Sequence, residues 1–141
     1  MTTPASTLRE FFAEMHRWGL AAISNHQQIN WETVTEAELN QQKLELRRAL
    51  TAIYEQYCEA GASAKRLQDP GISFHLDEPE YNPGHPILEE RVSAEETSEI
   101  QVGGRDFDFR YHLIQRDGRW WLQDKKEFLS EKGGKWRAHL L

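Results

Sequence analysis

Between Arg105 and Lys126 the chain reads Arg-Asp-Phe-Asp-Phe-Arg-Tyr-His-Leu-Ile-Gln-Arg-Asp-Gly-Arg-Trp-Trp-Leu-Gln-Asp-Lys-Lys. Phe107, Phe109, Tyr111 and Leu113 alternate with Asp106, Asp108, Arg110 and His112, the period-2 signature of a strand with one apolar face. Asp117-Gly118 supplies the positive-φ chemistry of a tight hairpin turn, and Arg119-Trp120-Trp121-Leu122 opens the returning strand. Two long strands this rich in aromatics require a cover. The remainder of the chain has to supply it.

The cover is helical. Leu8, Phe11, Phe12, Met15, Trp18 or Gly19, Ala22 and Ile23 follow the i, i+3, i+4, i+7 rhythm of one helix face, with Ser6 or Thr7 as cap and an end near Ser24-Asn25. A second helix is expected from Glu36 to about Ala60, with Leu39, Leu46, Leu50, Ile53, Tyr54 and Tyr57 as its stripe and Gly61 at C′. A short helical turn over 63–67 precedes Asp69-Pro70-Gly71. Then the period changes. Ile72 to Leu76 reads as a short strand, and Asp77 to Pro86, with three prolines and a glycine, as a restrained loop. Ile87 to Glu95 and Glu96 to Val102 read as strands with Leu88, Val92, Ile100 and Val102 inward. Gly103-Gly104 makes a turn, and 135–140 adds an edge strand or a tail. The expected architecture is one α+β domain over residues 1–141, helical over about 6–67 and a β-meander over about 72–140. The N-terminal helices pack on one face of a curved antiparallel sheet.

The formal net charge of −6 argues against a nucleic-acid binder, because phosphate attraction needs a basic surface. The single cysteine, Cys58, excludes an internal disulfide framework and suits a reducing cytosol. Its place in a helical pattern fits a small buried hydrophobe. No signal peptide is expected from Met1 to Thr7, and no run approaches the roughly 20 apolar residues of a membrane span. The expected compartment is cytoplasmic.

The charge is not evenly spread. Asp77, Glu78, Glu80, Glu89, Glu90, Glu95, Glu96 and Glu99 fall in one segment with Arg91 as its only cation. Clustered acids repel one another, and a negative surface steers a basic partner. The segment reads either as a solvated face or as a binding face. Chemistry is harder to find. Among six histidines there is no metal-ligand spacing, so no cofactor or metal is expected. No Gly-rich loop opens a helix to cradle a phosphate. Asp108, Arg110 and His112 share one side of a strand, a row that is more often the solvent-facing half of an amphipathic strand; pointed into a cone, it would with His75 supply the pocket candidates for an alternative function: a small-molecule enzyme or ligand binder. Trp120 and Trp121 point to opposite faces, so at most one is core.

Helices followed by a meander resemble the nuclear transport factor 2-like cone, and more closely its bacterial immunity proteins of polymorphic toxin systems, the Rhs-associated family included. The resemblance is carried by Ile53-Tyr54-Glu55-Gln56-Tyr57-Cys58, Ile72-Ser73-Phe74, Pro79-Glu80-Tyr81-Asn82-Pro83, Phe109-Arg110-Tyr111-His112-Leu113 with Asp117-Gly118-Arg119-Trp120, Asp124-Lys125-Lys126 and Gly134-Lys135-Trp136. Together these cover about residues 46–137. The resemblance implies a cytosolic protein that binds and neutralises a cognate secreted toxin without catalysis, and it transfers no catalytic residue. Combined with the charge count, it places the expected toxin contact on the acidic segment, with a basic nuclease as the toxin class. Neither nucleic acid nor membrane is an expected partner, and a homodimer through the sheet stays open.

Overall fold

Helix α1 (Pro4–Gln27) starts where backbone and side chain agree. Thr3 is the N-cap: its hydroxyl accepts the Ser6 N–H at 3.0 Å, while Ser6 Oγ accepts the Thr3 N–H at 2.9 Å. Pro4 sits in the first turn, where its fixed φ suits the helix and its missing N–H costs nothing. The cap therefore lies ahead of the Ser6 or Thr7 expected from sequence. The helix also continues past Ser24-Asn25 to Gln27. The computed structural model describes residues 3–62, 67, 74–93, 96–104, 107–129 and 135–139.

Helix α2 (Glu36–Tyr57) is capped by Thr35, whose hydroxyl accepts the Glu38 N–H at 3.1 Å. It stops at Tyr57, short of Ala60, because β-pairing captures the chain. Cys58 turns extended and forms a parallel bridge with Leu122, and the Glu59 N–H donates to the Leu122 carbonyl at 2.9 Å. Gly61, at φ +86, belongs to the turn that follows and is not the helix C′ residue. Leu50, Tyr54 and Tyr57 are buried, whereas Leu39, Leu46 and Ile53 are only partly covered.

The sheet is a five-stranded antiparallel meander in the order β1 (Ile87–Val92), β2 (Thr97–Gly103), β3 (Asp108–Arg116), β4 (Arg119–Leu129), β5 (Lys135–His139). The hairpin turn between β3 and β4 uses Asp117 at φ 53 and Gly118 at φ 74, the left-handed pair that Asp-Gly is suited to supply. The edge strand expected near the C-terminus is β5, paired to β4. The short strand expected over 72–76 is not seen: Phe74 to Leu76 run outside the sheet, and Ile72-Ser73 lie outside the described residues, as does most of the 63–67 turn. The Phe74 ring is drawn instead to α1, edge-on to Trp18 at 6.3 Å and to His26 at 6.1 Å. Nearby, Pro79 lies so close to Gly19 that a Cβ there would meet it at 2.8 Å. Only glycine allows that approach.

One core joins the layers. Leu8, Phe11, Phe12, Met15 and Trp18 of α1 meet Leu50, Tyr54 and Tyr57 of α2 and Ile100, Val102, Tyr111, Leu113, Trp120 and Leu122 of the sheet. Ile100 and Val102 point inward as expected. Leu88 and Val92 do not: they are 52% and 60% exposed, because β1 is the edge strand and lies beyond the cover of the helices. Phe107, just before β3, is also exposed. Of the tryptophan pair, Trp120 is core and Trp121 lies on the other face under the Arg119 guanidinium at 4.3 Å. Cys58 is buried, and burial pushes its thiol up to about 12, so it packs as an inert apolar group.

Phe11 is fully buried with Tyr54, Tyr57 and Tyr81 rings within 6.3 Å. Phe11→Ala is expected to cost about 3–5 kcal/mol, read as a lowered urea midpoint with an unchanged slope.

Candidate functional site

Strict alternation along β4 would place Trp120, Leu122 and Asp124 on the core side. The register breaks that parity: His112 pairs with Asp124 but Leu113 pairs with Leu122, so Gln123 is the extra residue of a β-bulge. Beyond the bulge the faces exchange. Asp124 turns to the open face and Lys125 turns inward, 1% exposed.

Its ammonium is held by two kinds of partner. Glu80 Oε1 accepts from Nζ at 2.9 Å, and the Tyr81 hydroxyl lies at 3.4 Å. The rings of Phe109, Tyr81 and Tyr111 stand 4.3, 4.5 and 5.8 Å from Nζ, within range of cation–π attraction. The Tyr81 carbonyl is bonded to His16 Nδ1 at 3.0 Å, so the Pro-rich loop is tied both to α1 and to β4. The Tyr111 hydroxyl, wholly buried, is held well above its ordinary range by lost hydration and by the nearby Glu80 charge. Burial in the same region lowers His85. Rings and an ion pair thus fill the space between α1 and the sheet here.

On the open face a second ionic group runs across three strands. Glu99 of β2 receives Arg110 Nε at 3.3 Å and His112 Nε2 at 2.7 Å, and Asp124 of β4 lies 2.6 Å from His112 Nδ1. Hydrogen bonding to Asp124, with further help from Glu99, raises His112 above its ordinary value, and the same contact lowers Asp124. Arg110 also covers the Trp136 ring at 4.1 Å, and Gln101 reaches Asp108 at 3.4 Å.

The pocket candidates are therefore not brought together. Asp108, Arg110 and His112 share a strand face, as alternation predicts, but that face is turned away from the helices, while exposed His75 lies beside α1 near Met15 and Trp18. The acidic segment is also divided. Glu80 is turned to Lys125 and Glu99 to His112, whereas Asp77, Glu78, Glu89, Glu90 and Glu96 are exposed. Glu89 pairs with Arg91 at 2.7 Å. Glu95 lies outside the described residues. Sequence reasoning missed Lys125, since nothing in Gln-Asp-Lys-Lys announces a bulge. The available signal was Glu80-Tyr81, an acid and a ring held in a loop stiffened by proline. Among the described residues no group of histidine, cysteine and carboxylate side chains is arranged to hold a metal ion, and no helix is long and apolar enough to cross a membrane.

Two helices on an antiparallel meander agree with a family-level match. The model of the NTF2 fold immunity protein family matches residues 3–139, and the chain belongs to that family. Searches of curated proteins and of solved structures return no match.

Two measurements check this account of the site. Lys125→Met leaves the Glu80 carboxylate without its ammonium and is expected to cost about 3–5 kcal/mol, with Glu80→Gln in that background restoring part of the loss in thermal melts. For His112 the raised folded pKa makes the interaction fully stabilising below the ordinary 6.5, and the contribution disappears as pH rises through the raised value. Asp124, lowered from 3.8, contributes above that value and loses its contribution as pH falls through the lowered one. Stability should therefore decline on the alkaline side of 6.5, and His112→Gln should flatten that limb of the curve.

Proposed function

We propose that this chain confers immunity by binding a cognate antibacterial toxin in the cytosol of the producing cell and covering its active surface, with no catalysis of its own. The observation that carries the proposal is membership of the NTF2 fold immunity protein family across residues 3–139. Two features of the site support it. The interior that an enzyme of this shape would need for substrate is occupied by Phe12, Tyr81, Tyr111 and Lys125. Glu99, Arg110, His112 and Asp124 of the open face are engaged with one another.

The toxin contact is proposed on the acidic segment formed by Asp77, Glu78, Glu80, Glu89, Glu90, Glu95, Glu96 and Glu99, with Glu80 and Glu99 serving from within to hold loop and sheet in place. An acidic surface of this kind complements a basic active site, so a nuclease is the proposed toxin class, and association should be fast at low salt and slower as salt is added.

The experiment pairs this chain with the toxin domain encoded beside it. Co-expression is expected to rescue cells from the toxin and the two proteins to co-purify. Changing Glu89, Glu90, Glu95 and Glu96 together to lysine should weaken the complex by about 100-fold or more, in line with coupling energies of close interfacial charges. Affinity unchanged by the fourfold reversal would remove the acidic segment from the interface.

A further inference from the structure

We propose that the outer edge of β1 is a docking strand: an extended segment of the protein partner adds to it as a sixth strand, with a basic side chain set beside Glu90 and apolar ones against Leu88 and Val92. The inference deepens the toxin-binding reading and rests on it.

Among the described residues β1 is the terminal strand of the meander and pairs with β2 on one side only. The direction of its free groups follows from the ladder. The Ser93 N–H donates to the Thr97 carbonyl at 2.9 Å, and the register runs Arg91 to Glu99 and Glu89 to Gln101. In an antiparallel pair, residues bonded to the neighbouring strand alternate with residues whose N–H and C=O face away. Glu90 and Val92 are the residues that face away. Their backbone groups form a row directed at the open edge, the template that strand addition uses.

The side chains select the occupant. Five of the six β1 residues are exposed, Leu88 and Val92 more than half. Glu90 lies opposite the core residue Ile100, so it occupies the helix-facing side of a strand the helices do not reach. No ion-pair partner of Glu90 is found among the described residues. An inward charge on an edge strand ordinarily deters promiscuous pairing. Here it also discriminates. A second copy of this chain, paired antiparallel about Glu90, would set that carboxylate against its own counterpart, and like charges directly opposite are destabilising. A strand with lysine or arginine at that position, flanked by apolar residues, meets no such penalty. Arg91 does not neutralise the edge, because it is engaged with Glu89 on the other face.

The test uses the full chain and the toxin domain encoded beside it. Val92→Pro removes only an outward N–H, which an edge strand tolerates; an unchanged far-UV spectrum and melting temperature would verify the fold. The proposal expects at least a tenfold weaker complex for this variant and for Glu90→Lys. It also expects the amides of Glu90 and Val92, open in the free chain, to become protected from hydrogen exchange in the complex. A complex that withstands Val92→Pro and leaves those amides exchanging overturns strand addition. If the fourfold lysine reversal still weakens that complex, acidic docking stands without it. Protection at Glu90 and Val92 together with indifference to lysine reversal of Glu89, Glu95 and Glu96 alone would keep the docking strand and remove the acidic-segment reading. Absence of any complex with the wild-type chain overturns both.

Discussion

A charged ammonium closed inside an aromatic core is the constraint on which the rest of this structure depends. An unpaired charge in such a place would cost far more than a small domain can spare. Lys125 is tolerated because a carboxylate and three π-faces are delivered to it from different parts of the chain: Glu80 and Tyr81 from the Pro-rich loop, Phe109 and Tyr111 from β3. Each has its own restraint. The loop is anchored to α1 through His16 and through the Gly19–Pro79 approach, and the β4 bulge turns Lys125 toward the loop. Helices, loop and sheet are thus mutually positioned by one buried group.

The open face solves its electrostatics differently. There the charges remain partly hydrated, and His112 is held between two carboxylates with Arg110 sharing one of them. Such exposed pairs contribute modestly to stability, but they satisfy most of the polar groups near the centre of the face. Toward β1, an edge strand carries side chains and backbone groups that neither layer uses among the described residues.

Local chemistry made much of the architecture legible in sequence. The α1 stripe, the Asp-Gly turn, the inward Ile100, Val102, Tyr111 and Leu113, and the single inward tryptophan all follow from periodicity and turn propensity. The failures share a cause. Where α2 ends, which side of β4 faces the core after Gln123, and whether Leu88 and Val92 are covered are decided by partners distant in the chain. Cys58 leaves its helix because Leu122 offers a bridge, and Leu88 and Val92 stay exposed because the helices end before reaching them. Asp108, Arg110 and His112 were grouped correctly by alternation, and their face is the open one, the more common outcome for such a row. The Lys125 site needed both a bulge and a loop contact, and neither leaves a periodic trace.

The exposure of β1 has a consequence for how such a protein changes over generations. Apart from Ile87, its side chains contribute little to the core, so substitutions along it are nearly neutral in folding free energy. A lineage can therefore rewrite Leu88, Glu90 or Val92 while its scaffold stays as stable as before. Variation and stability are assigned to different strands of one sheet.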